Sequence, residues 1–188
     1  MLEFEEKFRD MLKILGRKGY LNISDPNFDE TPRRVTKMYM EFLKGAIDTE
    51  GKIKAIFTKT FPSPYKGIIV ATNILVWGMC PHHFLPVKYI INLGYIPNDK
   101  VVGVSKLNRL CEILASRAIL QEDLTSDIIQ HINTNLDAKG AMVMVNGIHG
   151  CMTSRGIKQE NPIITSEISG DFKDMGVRQE FLSMIGGK

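Results

Sequence analysis

The chain has 188 residues, 44% hydrophobic and 24% charged, with a formal net charge of +3 and a pI near 8.7. That length allows one core of ordinary size with a short N-terminal appendage, and the charge is too weak to indicate a nucleic-acid partner. No apolar run approaches the ~20 residues of a membrane span, the acidic, amphipathic Met1–Glu6 does not read as a secretory signal, and three cysteines cannot build a disulfide framework.

Phe4, Phe8, Met11, Leu12 and Leu15 recur at helical spacing and predict a helix over 2–15, stopped by Gly16 and Gly19. Residues 20–30 are polar and turn-rich. Thr31-Pro32 reads as an N-cap with proline in the first turn of a second helix, whose inner face is Val35, Met38, Tyr39, Phe42 and Leu43 and which ends at Gly45. Arg33, Arg34 and Lys37 read in isolation as a solvated basic face. A short strand is expected over 53–60 and a turn over 61–65. Residues 68–77, apolar and rich in β-branched side chains, predict a buried strand that leads to Cys80. A second strand covers 87–96. Ser105 reads as the cap of a helix over 106–116. Gln121 and Glu122 open another, with Leu124, Ile128, Ile129, Ile132 and Leu136 inward and Gly140 as its stop. A third strand at 141–145 leads to His149 and Cys151, a fourth lies within 152–168, and a last helix spans 174–185. From residue 67 the order is strand, strand, helix, helix, strand, strand.

The chemistry gathers in two stretches, Met79–Pro86 and Ile148–Met152. Together they hold two of the three cysteines and three of the four histidines. Soft and borderline donors gathered this way indicate a transition-metal site, zinc first. A catalytic zinc keeps a coordination position for water and needs three protein ligands: Cys80, one of His82 or His83, and Cys151. The other histidines are then free for acid–base work. A structural Cys₂His₂ site is disfavoured, because no second cysteine follows Cys80 within two to four residues. The bland alternative leaves the histidines as satisfied core residues. Cys111 and His131 read as structural. Lys106 and Arg109 share the first turn of a helix beginning at Ser105, which suits a phosphate chain as well as it suits an ordinary charged face. Arg155 adds a charge four residues past Cys151. The Gln121-Glu122 pair has the chemistry to read the N–H edge of a purine.

Six motifs, in this order, resemble GTP cyclohydrolase I over roughly residues 28–185: Glu-Thr-Pro-x-Arg-Val (30–35), Cys-x-His-His (80–83), Ser-Lys-Leu-x-Arg (105–109), Gln-Glu-x-Leu-Thr (121–125), His-x-Cys-Met-x-x-Arg-Gly (149–156) and Arg-x-Glu-Phe-Leu (178–182). The resemblance implies an α+β tunnelling fold, an antiparallel sheet with two helices. It would occupy 51–188 after an N-terminal helical region at 1–50, in one continuous domain that assembles through barrels into a cytoplasmic homodecamer of two pentameric rings. It implies that zinc-activated water opens the imidazole ring of GTP, releasing formate and leading to 7,8-dihydroneopterin triphosphate. By motif, the zinc ligands are Cys80, His83 and Cys151, and the acid–base pair is His82 and His149. Glu122 with Gln121 reads guanine, and Ser105, Lys106, Arg109 and Arg155 cradle the triphosphate. Arg34, with Lys37, reaches it from a neighbouring subunit. No nucleic-acid or membrane partner is implied.

The chain departs from the family at Pro81, where a glutamate is usual. It departs again at Val87-Lys88-Tyr89, where a glycine is missing, and at Arg117–Leu120, where an arginine-rich run is usual. A second reading therefore keeps the fold and the purine site but alters or truncates the reaction. A third, a zinc-stabilised binding protein without catalysis, is disfavoured because it has no use for Lys106, Arg109 and Arg155 around one pocket.

Overall fold

The structure, a computed structural model, describes residues 1–186. The chain divides into two compact units, Met1–Phe42 and the remainder from Leu43. In the first, helices α1 (Leu2–Arg17) and α2 (Thr31–Phe42) are joined by a tight turn at Pro26–Phe28. The Asp25 carboxylate caps that turn by accepting from Asn27 N–H at 2.9 Å. Leu12 of α1 is buried, as are Pro32 and Thr36 of α2. Thr36 satisfies its buried hydroxyl by donating to Pro32 O at 2.8 Å. Met38, expected inside, is partly exposed.

In the second unit a 3-10 turn at Lys44–Ala46 precedes α3 (Thr49–Phe57), a helix where a strand over 53–60 was expected. The Asp48 side chain accepts from Gly51 N–H and caps the helix, and Ile53, Ile56 and Phe57 are buried at helical spacing. Extended structure begins only with β1 (Thr60–Pro62), so Phe61 and Pro62 lie in a ladder rather than a turn. The main sheet comprises β2 (Ile69–Met79) and β3 (Pro86–Ile96), then β5 (Gly140–His149) and β6 (Ile163–Gly170). Its order is β2-β3-β5-β6 and every pairing is antiparallel. Between β3 and β5 come β4 (Lys100–Val102), which pairs with β1, and helices α4 (Ser105–Ala115) and α5 (Gln121–Leu136). The expected order of strands and helices holds, and the fold is α+β with antiparallel sheets.

Alternation builds the core. Val87, Tyr89, Ile91, Leu93 and Tyr95 of β3 are fully or almost fully buried, together with Ala141, Val143 and Val145 of β5. They pack with Leu107, Leu110 and Leu114 of α4 and Leu124, Ile128 and Ile132 of α5. A second cluster gathers Ile68, Ile96, Met142, Phe172 and Phe181, with the Phe172 and Phe181 rings edge to face at 5.8 Å. The last of these sits on α7 (Met175–Gly186).

Three sequence expectations change here. Strand β2 is not buried throughout: Ile74 and Val76 face the core, whereas Leu75 and Trp77 are 55% and 49% exposed. Ser105 is the first residue of α4 and makes no side-chain cap. Helix α5 ends at Asp137, which adopts the left-handed conformation (φ 49°), before Gly140 opens β5. Among the described residues, no helix is long and apolar enough to cross a membrane.

Candidate metal centre

The register brings the two metal-ligand stretches together. Met79 at the end of β2 pairs with Pro86, and Val87 pairs with His149 at the end of β5. Cys80 and His149 therefore emerge at one end of the sheet on either side of β3. Residues 81–84 form a tight turn closed by Phe84 N–H to Cys80 O at 2.9 Å, and Cys80 N–H donates to Leu85 O at 3.0 Å. His82 and His83 lie on this turn, both exposed, with His82 Nδ1 3.9 Å from Cys80 Sγ. Cys151 is carried by a single helical turn, α6 (Gly150–Thr153), directly after β5.

The Cys80 and Cys151 sulfurs, 71 residues apart in sequence, lie 3.9 Å apart. Two Zn–S bonds of about 2.3 Å at a tetrahedral angle place their sulfurs about 3.8 Å apart. Both cysteines are free thiols, and a His149 ring nitrogen joins them, all three donor atoms lying within 4.8 Å of one another. This Cys/His/Cys set fits a borderline ion such as zinc in both donor chemistry and spacing. His83, expected as the third ligand, stands outside that group. Burial raises the Cys151 thiol pKa, the neighbouring Cys80 raises it further, and Arg155 opposes the rise.

Gln121 organises the rest of the site. It is buried, and its amide nitrogen lies within donating distance of Val145 O (3.1 Å), Ile163 O (2.9 Å) and Thr165 Oγ1 (3.2 Å). That leaves its Oε1 to accept from His149 Nε2–H at 2.9 Å. The amide orientation thus selects the tautomer of His149 and leaves Nδ1 bare as an acceptor. Burial lowers the pKa of His149, with Glu122 partly opposing, which favours the neutral ring near pH 7. Gly147 makes this packing possible, since a Cβ there would come within 2.2 Å of Gln121 Oε1. The expected purine reader Gln121 is therefore committed inside the protein, while Glu122 beside it is exposed at the start of α5.

Ser105, Lys106 and Arg109 occupy the first turns of α4, with Ser105 and Arg109 exposed and Lys106 half-buried. Arg155 is exposed just beyond α6. Among the described residues, none of these three cations has a carboxylate within salt-bridge distance. Arg34 and Lys37 lie exposed on α2 in the first unit. Cys111 is fully buried, with its thiol pKa pushed up to about 12 by desolvation, so it stays protonated and inert. His131 lies 3.7 Å from Glu50 and stands outside the Cys80, His149 and Cys151 group.

One site residue escaped the sequence reading. Tyr89, near the start of β3, is wholly buried and meets the His149 ring edge to face at 6.2 Å. Its hydroxyl is the buried side-chain oxygen without a hydrogen-bond partner among the described residues. Alternation along β3 predicts its burial, but nothing in a strand pattern signals an unpaired hydroxyl.

The family model for GTP cyclohydrolase I matches residues 4–186. GTP cyclohydrolase 1 of Pelagibacter ubique is 39% identical over 97% of this chain and 89% of its own length. The enzyme of the same name from Flavobacterium johnsoniae is 35% identical over 97% of this chain and 82% of its own. Among solved structures, the archaeosine synthase QueF-Like in its apo form matches 57% of this chain and 96% of its own, at 18% identity and a TM-score of 0.45.

Proposed function

The chain belongs to the GTP cyclohydrolase I family, and on that footing we propose that it converts GTP and water to formate and 7,8-dihydroneopterin triphosphate at the end of the sheet where Cys80, Cys151, His149 and Glu122 meet. The observation that carries this reading is the pair of sulfurs 3.9 Å apart, with a histidine nitrogen within reach of both. We assign a zinc ion to Cys80 and Cys151, with His83 as third ligand, reached by adjustment of the short 81–84 turn. When bound, the ion supplies a Lewis acid that makes water nucleophilic near neutral pH.

The protein's own groups divide the remaining work. His149, held by Gln121 through Nε2, keeps Nδ1 as a proton acceptor beside the residues that would hold the ion. His82, on the turn beside Cys80, is the second acid–base group. The Glu122 carboxylate accepts from the N–H edge of guanine, and Gln121 serves that edge indirectly by fixing His149. Lys106, Arg109 and Arg155, without carboxylate partners among the described residues, form a cationic cradle for the triphosphate, with Ser105 adding a hydroxyl. Arg34 and Lys37 complete the cradle from a neighbouring subunit. The exposed Leu75 and Trp77 on edge strand β2, with the exposed Ile164 on edge strand β6, support burial between subunits. A homodecamer of two pentameric barrels in the cytoplasm is the assembly we propose, its product entering pteridine synthesis.

The cradle is tested by comparing GTP with guanosine. GTP should bind at least about tenfold more tightly at low salt, since hydrogen bonds to charged groups contribute about 1.5–3 kcal/mol each. The gap should narrow as ionic strength rises. Equal affinity for the two at low salt excludes a triphosphate site.

A further inference from the structure

We propose that Tyr89 is a substrate-contacting residue whose phenol O–H donates a hydrogen bond to an acceptor atom on the purine base. The inference rests on the GTP reading above and adds to it a group that no motif includes. Tyr89 stands on β3 between Val76 of β2 and Gly147 of β5, in the strand that separates the two halves of the metal centre. Its ring is accommodated by Gly78, where a Cβ would come within 2.8 Å of the Tyr89 ring. The same ring meets the His149 ring edge to face at 6.2 Å.

The Tyr89 ring stands against His149, a residue of the metal centre. Burial raises the pKa of its hydroxyl strongly, and the neighbouring Cys80, Glu122 and Cys151 side chains oppose its ionisation further, so the phenol stays protonated. Yet no protein atom among the described residues takes its hydrogen bond. No thiol or carboxylate oxygen among the described residues lies at bonding distance from it. Phenylalanine would fill the same volume without an unsatisfied polar atom, so the hydroxyl is unfavourable in the free protein. An acceptor on a bound base would remove that penalty. Recognition by an otherwise unpaired buried donor also discriminates strongly between ligands that have and lack the acceptor.

The test is the Tyr89→Phe variant of the zinc-loaded protein, measured in three ways. Equilibrium binding of guanosine should weaken about 3- to 10-fold, the range expected for one net hydrogen bond, and kcat/KM for GTP should fall by a similar factor. The melting temperature without nucleotide should stay the same or rise, and zinc per chain should not change. Equal guanosine binding by both proteins overturns the contact. A lower melting temperature in the variant also overturns it, by showing that the hydroxyl has a partner within the protein. Loss of zinc does so as well, by placing the hydroxyl in the service of the metal. If the unmodified protein binds neither guanosine nor GTP, the substrate reading itself fails and takes this inference with it.

Discussion

Cys151→Ala is expected to strip the protein of tightly bound zinc, from about one ion per chain to a small fraction of that. GTP turnover should fall by more than two orders of magnitude. Losing a group that merely orients a ligand costs about 10- to 100-fold in metal affinity or activity, and losing a sulfur that binds the ion directly costs more. The thermal stability of the unmodified protein should drop on chelation and that of the variant should not, because metal binding is linked to folding. Two further variants resolve the third ligand. His83→Ala should also lose the ion, whereas His149→Ala should keep it and lose turnover. The reverse pattern would assign the third position to His149, the histidine that already lies within 4.8 Å of both thiols. Stoichiometric zinc in Cys151→Ala would rule out the thiol pair as the centre.

Gly147→Ala should cause a large loss of stability for a single added methyl group. The new Cβ would meet Gln121 Oε1 at 2.2 Å, far inside contact distance. Gln121 cannot swing aside cheaply, since its nitrogen is held by β5 and β6 and its oxygen by His149. Overpacking and the hydrogen bonds lost with it amount to about 2–4 kcal/mol. For a chain of this size that lowers the melting temperature by roughly 5–15 °C. Turnover should fall with it, because His149 loses the acceptor that fixes its tautomer. Adding Gln121→Ala should recover part of the stability, a non-additivity expected of atoms in contact. It should not recover turnover. An alanine variant that melts like the unmodified protein would show that the Gln121 amide is not held as described.

The sequence made the sheet and its two helices legible because β3, β5 and α5 carry unbroken periodic patterns. It misjudged 53–60, where apolar residues are too few to separate a three-residue spacing from alternation. Only Asp48, outside the apolar run, gives the helix away. Trp77 and Leu75 read as core because composition cannot distinguish a face packed on helices from one left for another surface. The gathering of Cys80 with Cys151 was readable from donor chemistry alone, since soft ligands in two short stretches have few other uses. The internal commitment of Gln121 was not, because an amide at a helix start looks the same whether it faces a ligand or two strands. Tyr89 was hidden for a related reason: burial follows from alternation, but the partners of a hydroxyl depend on neighbours from three strands.

The most direct test loads the purified protein with zinc, supplies GTP and identifies the products by mass. The predicted result is formate and 7,8-dihydroneopterin triphosphate in equal amounts, absent from protein treated with a chelator and from Cys151→Ala. Unchanged GTP under zinc-loaded conditions would contradict the account. Accumulation of a ring-opened formamide with no pterin would contradict it in a narrower way: a purine site that stops short, at a turn where Pro81 occupies the place of a carboxylate.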